Sequence, residues 1–124
     1  RKISKLDLYQ SIRRRNSLIY LKYLKSITVP KSLTENQIKN SSCYNYTIYV
    51  KDKIKLQSYL VSKGYDTGNA MYENCGNIIE FKKFNINSKN VDDIIRYSIT
   101  LPTNHTVSKK YAENLSKTIL NYYK

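Results

Sequence analysis

The 124-residue chain carries 22 Lys and Arg against nine Asp and Glu, a formal charge of +13, and 40% of its residues are hydrophobic. This length is typical of a single domain, and the composition excludes a disordered or fibrous protein. No apolar run approaches the roughly 20 residues that cross a bilayer, and two cysteines without CxxC spacing exclude a disulfide framework. We therefore predict a cytoplasmic protein that does not enter a membrane.

The first predicted element, residues 1–26, is a long basic amphipathic helix. Neither Gly nor Pro interrupts it, and its apolar residues recur at helical intervals: Leu8, Ile12, Ile19 and Tyr23. Eight basic residues against Asp7 give this segment a charge of +7. Its run Arg13-Arg14-Arg15 is interpreted as a basic patch that binds phosphate. The alternative is a solvated helix face, or a face covered by another part of the protein.

Residues 27–124 are predicted to form a small α/β domain that is one structural unit with the helix. After an irregular stretch, alternation over Tyr44 to Val50 indicates a strand, which puts Tyr44 on its core face, and helical spacing follows from Asp52 to Lys63. Asp52 is expected to cap the start of that helix, and Gly64 to close its end. A second extended run from Tyr65 to Met71 completes a strand, crossover helix and strand.

The C-terminal half continues this alternation. Residues 72–87 have no assigned structure. Ser88 is a candidate cap for a helix ending near Tyr97, with Val91, Ile94 and Ile95 on one side; Ser98–Pro102 is a short strand, and Ser108 caps a closing helix. The predicted fold class is α/β: a small two-layer sandwich, with a three- to four-stranded sheet and helices mainly on one face, preceded by the long basic helix.

Patterns of catalytic residues are sparse. The single histidine, His105, falls in a loop without acids or cysteines at ligand spacing, and three glycines are too few for a phosphate-binding loop. The nine acids form no carboxylate dyad, so we expect neither a metal site nor catalysis by this chain alone. The alternative function is a basic nucleic-acid-binding α/β module that uses the helix with Arg13 to Arg15. The thirteen tyrosines are also typical of base stacking, but several of them fall at expected core positions.

Five pieces of the sequence, in order, resemble one family. They are RRRNSLIYLKYL, YNYTIYV, LQSYLVSKGYDTG, RYSITLPTNHTVS and the closing amphipathic helix. This series is similar to the C-terminal small domain of the DegT/DnrJ/EryC1/StrS family, pyridoxal-phosphate-dependent sugar aminotransferases with the aspartate aminotransferase fold. The resemblance implies that the chain is the substrate-side domain of a (nucleotide-)sugar aminotransferase.

The resemblance also implies which residues lie nearest the substrate cleft: Tyr44, Asn45, Thr67, Gly68, Asn69 and Met71. Their structural interpretation is different: Tyr44 in the core, Asn45 an ordinary strand residue, and Thr67-Gly68 a tight bend. The chain departs from the family after Gly68, where Asn69-Ala70-Met71-Tyr72 replaces a His-Tyr-Pro run. Asn104-His105 likewise replaces the family's His-Pro.

The family's cofactor chemistry belongs to a large domain that this sequence does not contain. That domain supplies the Schiff-base lysine and the acid that pairs with the pyridine nitrogen of pyridoxal phosphate. The resemblance therefore implies a fragment, a split subunit or a degenerate form that binds no cofactor by itself and is not active alone. Its expected partners are the large PLP-binding domain or subunit and a nucleotide-sugar substrate, and a homodimer stays open.

Overall fold

A computed structural model of the chain describes residues 3–27, 33–69, 74–84 and 89–124. Its α-helices and strands, in chain order, are α1 (Leu6–Leu24), α2 (Glu35–Lys39), β1 (Asn45–Tyr49), α3 (Lys53–Ser62), β2 (Gly68–Asn69), α4 (Lys89–Tyr97), β3 (Ser98–Pro102) and α5 (Lys109–Tyr122). Short 3-10 helices cover Ile3–Lys5, Cys75–Asn77 and Ile79–Phe84. Among these described residues, no helix combines the length and apolar character that a membrane span requires.

The three strands form one sheet in the order β1-β3-β2. Both outer strands pair antiparallel with β3, so β1 and β2 run in the same direction, as a crossover through α3 requires. The α/β class is confirmed, but the sheet is smaller than predicted, because its third strand has only the two residues Gly68–Asn69. Both are poor strand formers, and the predicted run up to Met71 passes beyond the described residues.

One face of the sheet carries the core. Side chains alternate across a strand, and four from β1 and β3 are at most 1% exposed: Tyr46, Ile48, Ile99 and Leu101. On the other face Thr47, Tyr49 and Thr100 are only half-buried, and Asn45 is exposed. Helix α1 packs against α5 and against β1, and α3 packs against α5.

The buried face of α1 differs from the predicted stripe. Leu8 is 56% exposed, and the buried positions are instead Asn16, Ser17, Tyr20 and Leu24. These residues are spaced as one helical face, but two of them are polar. The predicted residues Ile19 and Tyr23 are partly buried against the core, so a stripe chosen by hydrophobicity alone finds the edge of the buried face and misses its polar centre.

The ends of α3 are formed in two different ways. Gly64 has a φ of +79°, the left-handed conformation predicted to close the helix. The prediction for Asp52 is wrong, because its carboxylate makes no cap hydrogen bond and instead accepts from the Tyr122 hydroxyl (2.7 Å) and the Tyr123 hydroxyl (2.8 Å). Burial acts to raise the pKa of Asp52, but these two hydrogen bonds and nearby Lys55 outweigh it and leave the pKa below its usual value.

The closing elements follow the sequence prediction closely. Strand β3 has the predicted bounds, and the Ser108 hydroxyl accepts a hydrogen bond from the Tyr111 amide (3.1 Å) at the start of α5. The predicted cap Ser88 lies outside the described residues. In α4, Val91 and Ile94 are 38% and 48% exposed, so the described residues leave much of its apolar side uncovered.

Candidate functional site

The sheet brings two of the predicted cleft residues onto one surface. Asn45 pairs with Pro102 on β3, and Gly68 pairs with Thr100 from the other side of the same strand. Pro102 and Thr100 are two positions apart, so they and their partners share one face. Asn45 and Gly68 therefore lie on the half-exposed face, on either side of β3.

The other candidates in this region have different placements. Thr67 is 7% exposed and directly precedes β2. Asn69 is the second residue of β2 and pairs with Ile99, one position further along β3 than the partner of Gly68. Met71 lies outside the described residues.

No close approach requires a glycine at position 68. Its φ is not in the left-handed region, and a Cβ atom built there would lie 3.6 Å from the Thr100 Cβ, an ordinary contact. The absence of a side chain instead leaves the exposed sheet surface open beside Thr100.

Tyr44 is on the surface, which makes the core interpretation wrong. Its side chain is 68% exposed, and the Arg13 guanidinium carbon lies 5.2 Å from the centre of its ring. The reason is local: Cys43 has a φ of +46°, and β1 starts only at Asn45, so the alternation of the strand does not extend back to Tyr44. The result is a cation–π pair at the entrance to β1.

The three arginines of α1 have different surroundings. Consecutive helical side chains point about 100° apart. Arg13 faces Tyr44, while Arg15 donates from Nη2 to the Val107 carbonyl (3.0 Å). The Nε atoms of Arg13 and Arg14 are buried without a hydrogen-bond partner. A shared phosphate surface formed by these three residues stays a prediction.

Asn16 is a site residue that the sequence reasoning missed. It is fully buried, and its Nδ2 donates to the carbonyl oxygens of Thr103 (3.2 Å) and Val107 (3.1 Å). Its Oδ1 accepts from Arg15 Nε (3.1 Å) and Nη2 (3.0 Å). Asn16 and Arg15 thus connect the loop after β3 to α1 by hydrogen bonds. Its position between the apolar residues Ile12 and Ile19 could have indicated that Asn16 is buried. The basic residues around it in the sequence instead favoured a solvent-exposed asparagine.

Two hydroxyl groups, those of Tyr20 and Thr103, hold the strand ends at this junction. The Tyr20 hydroxyl donates to the Pro102 carbonyl (2.8 Å), and burial raises the pKa of Tyr20, which keeps this donor protonated. The Thr103 hydroxyl lies 2.7 Å from the carbonyl oxygens of both Cys43 and Tyr44. The entrance to β1 and the exit from β3 are therefore positioned against α1, and with them Asn45.

The single histidine lies at the rim of this junction. His105 is exposed and stacks on Tyr9, with ring centroids 4.2 Å apart and an interplanar angle of 27°. In the part of the chain that the structure describes, no group of three or more His, Cys, Asp or Glu could hold a metal ion.

The cleft candidates do not fit pyridoxal phosphate. The cofactor needs a lysine for its aldehyde and an acid for its ring nitrogen. The set contains neither: Tyr44, Asn45, Thr67, Gly68, Asn69 and Met71. These residues therefore supply neither of the two groups that the cofactor chemistry needs. What the surface offers is the exposed side-chain amide of Asn45, a strand position without a side chain at Gly68 and an aromatic ring beside a cation, which can bind and orient a polar ligand.

Comparison with known proteins identifies the fold. No family model and no curated protein sequence matches the chain. Among solved structures it is similar to DesV from S. venezuelae (TM-score 0.81, 14% identity), covering 98% of this chain and 34% of that chain. A DegT DnrJ EryC1 StrS aminotransferase from Brucella abortus gives a TM-score of 0.79 at 18% identity, covering 98% and 33%. PseC from Helicobacter pylori, an aminotransferase involved in the biosynthesis of pseudoaminic acid, gives 0.77 at 18%, covering 96% and 34%.

These likenesses extend over nearly all of this chain but only about a third of each enzyme. At such low identity they establish the fold and leave specificity open. The resemblance found in the sequence is confirmed at this level: the chain has the fold of one part of the DegT/DnrJ/EryC1/StrS-type sugar aminotransferases.

Proposed function

We propose that this chain is the C-terminal, substrate-side domain of a pyridoxal-phosphate-dependent (nucleotide-)sugar aminotransferase. The observation that supports it best is the fold similarity to such enzymes over 96–98% of the chain. A large cofactor-binding domain, on the same polypeptide or on a separate subunit, would supply the lysine and the acid. The proposal includes a cytoplasmic location.

In the complete enzyme, this domain would bind and orient the sugar. The exposed Asn45 amide offers a donor and an acceptor to sugar hydroxyl groups, and the ring of Tyr44 offers a flat surface beside them. Gly68 adds no side-chain atoms of its own beside Thr100 on the same face. The junction through Asn16 and Arg15 would hold this surface still, because precise placement of a bound substrate is a large part of catalysis.

The decisive experiment is to sequence the coding region upstream of Arg1 and purify its complete product. We expect a lysine-bearing domain, pyridoxal phosphate absorbance and amino transfer to a nucleotide-sugar. Asn45→Ala should raise KM for the sugar while cofactor content is unchanged, and Asn36→Ala, an exposed asparagine on α2, is the matched control. A start codon beside Arg1, together with no lysine-bearing partner subunit, would count against the proposal.

The charge of +13 supports a second candidate, a nucleic-acid-binding module. Its test is fluorescence anisotropy with a labelled oligonucleotide at increasing salt concentration. Binding through phosphates weakens steeply with salt and should fall when Arg14 becomes Gln. An absence of binding at low ionic strength eliminates this candidate.

A further inference from the structure

A cleft lies at the C-terminal end of β1, at the other end of the strand from Asn45. It has a volume of about 560 Å³ and is lined by Ile27, Tyr49, Val50, Lys51, Arg96, Tyr97 and Tyr123. Small-molecule sites in proteins commonly have volumes of roughly 300–1,000 Å³. The cleft is therefore large enough for a compact organic ligand.

The lining of the cleft is largely aromatic, and part of it belongs to the ends of β1 and β3. Three tyrosine rings contribute to them, together with Ile27 and the 5%-exposed Val50. The Val50 amide donates to the Tyr97 carbonyl (2.9 Å), which joins the end of β1 to the start of β3. Tyr123 is held from outside by its hydroxyl bond to the Asp52 carboxylate. Aromatic side chains in a cleft lining suit a ligand with a planar ring.

The charges in the lining all have one sign. Lys51 and Arg96 are exposed cations, and no acid belongs to the lining. The guanidinium carbon of Arg96 lies 5.5 Å from the centre of the Tyr97 ring. Three acids lie nearby but outside this lining: Asp52, whose ionised carboxylate accepts from the hydroxyls of Tyr122 and Tyr123, and Glu80 and Asp92, which share a neighbouring cleft with Arg96. The cleft lining therefore combines three tyrosines with two exposed cations.

We propose that this cleft binds a small organic anion with a flat aromatic body, whose ring packs on the tyrosines and whose carboxylate lies near Lys51 and Arg96. Charge complementarity selects the anion, and the tyrosine rings select the aromatic body. The proposal does not rest on the aminotransferase function, since it uses none of the residues assigned to the sugar.

The test is a titration of the 15N-labelled 124-residue chain with 2-naphthoate, followed by NMR. A ligand of this size that fits its cleft should bind with a Kd of about 1 mM or tighter. The saturable amide shifts should centre on Val50, Lys51, Tyr97 and Tyr123. The uncharged analogue 2-naphthylmethanol should bind more weakly, and the difference should shrink as salt is added.

Variants separate this site from general attraction to a basic protein. Lys51→Gln and Arg96→Gln should each weaken 2-naphthoate about two- to fivefold, the range of a single exposed ion pair. Lys63→Gln is the matched control, because Lys63 also lies over a tyrosine ring, that of Tyr59 at 5.6 Å, but outside the cleft. Tyr123→Ala should weaken binding further than either glutamine variant, and Tyr123→Phe, which keeps the ring but loses the bond to Asp52, should weaken it less than Tyr123→Ala.

Three results would overturn the proposal. They are an absence of saturable shifts at the cleft residues, equal affinity for the charged and uncharged compounds, and a loss in Lys63→Gln as large as that in Lys51→Gln. Thermal melting of each variant confirms that its fold is retained, and the two glutamine variants change only exposed side chains.

Discussion

Replacement of Asn16 by alanine tests the junction that positions the proposed substrate surface. The change removes both donors to the loop after β3: the Thr103 carbonyl loses its 3.2 Å partner, while the Val107 carbonyl keeps Arg15 Nη2. A buried carbonyl left without a partner costs about 1–3 kcal/mol, and the missing side-chain atoms add about 1 kcal/mol of lost packing. We expect a loss of about 2–4 kcal/mol, a large share of the 5–15 kcal/mol typical of a domain.

Urea unfolding followed by circular dichroism measures this loss as a lower midpoint at an unchanged m value. Asn36→Ala, which removes an exposed asparagine on α2, is the control and should change the free energy of unfolding by less than about 0.5 kcal/mol. Asn16→Asp should also be less stable than wild type, because it keeps the acceptor for Arg15 but replaces the donor to the Thr103 and Val107 carbonyls with an oxygen. A loss below about 0.5 kcal/mol in Asn16→Ala would refute the assigned role.

Four further substitutions test local features of the fold by the same urea assay. Gly64→Ala should destabilise the chain by about 1 kcal/mol because Gly64 has a φ of +79°, although no atom would contact the added Cβ. Gly68→Ala should be close to neutral, because its φ is not in the left-handed region and its Cβ would make only ordinary contacts. Equal losses in the two variants would contradict this explanation. Tyr20→Phe should cost about 1–2 kcal/mol, since the hydrogen bond from its hydroxyl to the Pro102 carbonyl is lost, and an unchanged midpoint would show that the bond contributes nothing. Because the fold lowers the pKa of Asp52, its charged carboxylate stabilises the fold at pH values above its ordinary pKa of 3.8. This contribution is lost as the pH falls below 3.8 and through the lowered pKa. Asp52→Asn should therefore be less stable than wild type at pH 7 and converge with it in acid; a gap that does not change with pH would exclude the charge as the cause.

Local patterns predicted the regular elements well. The bounds of β3 were right to the residue, and the cap at Ser108 and the closing glycine at position 64 are as predicted. These features depend on neighbours in sequence: a proline that ends a strand, a hydroxyl three residues before an amide, and a residue without a Cβ atom. The family resemblance came from the same short segments in series, and the fold confirms it.

Contacts between distant segments decided the rest. Asn16 meets carbonyls that lie 87 and 91 residues away, and Asp52 meets hydroxyls that lie 70 and 71 residues away. Polar residues with distant partners look like solvated residues in a sequence, because only the assembled core shows whether water or another chain segment satisfies them. Tyr44 illustrates the reverse case: alternation put it in the core, and the turn at Cys43 put it beside Arg13 on the surface. The sequence by itself determined the elements, their order and the family they resemble, whereas the tertiary structure decided which side chains meet and which surface stays open.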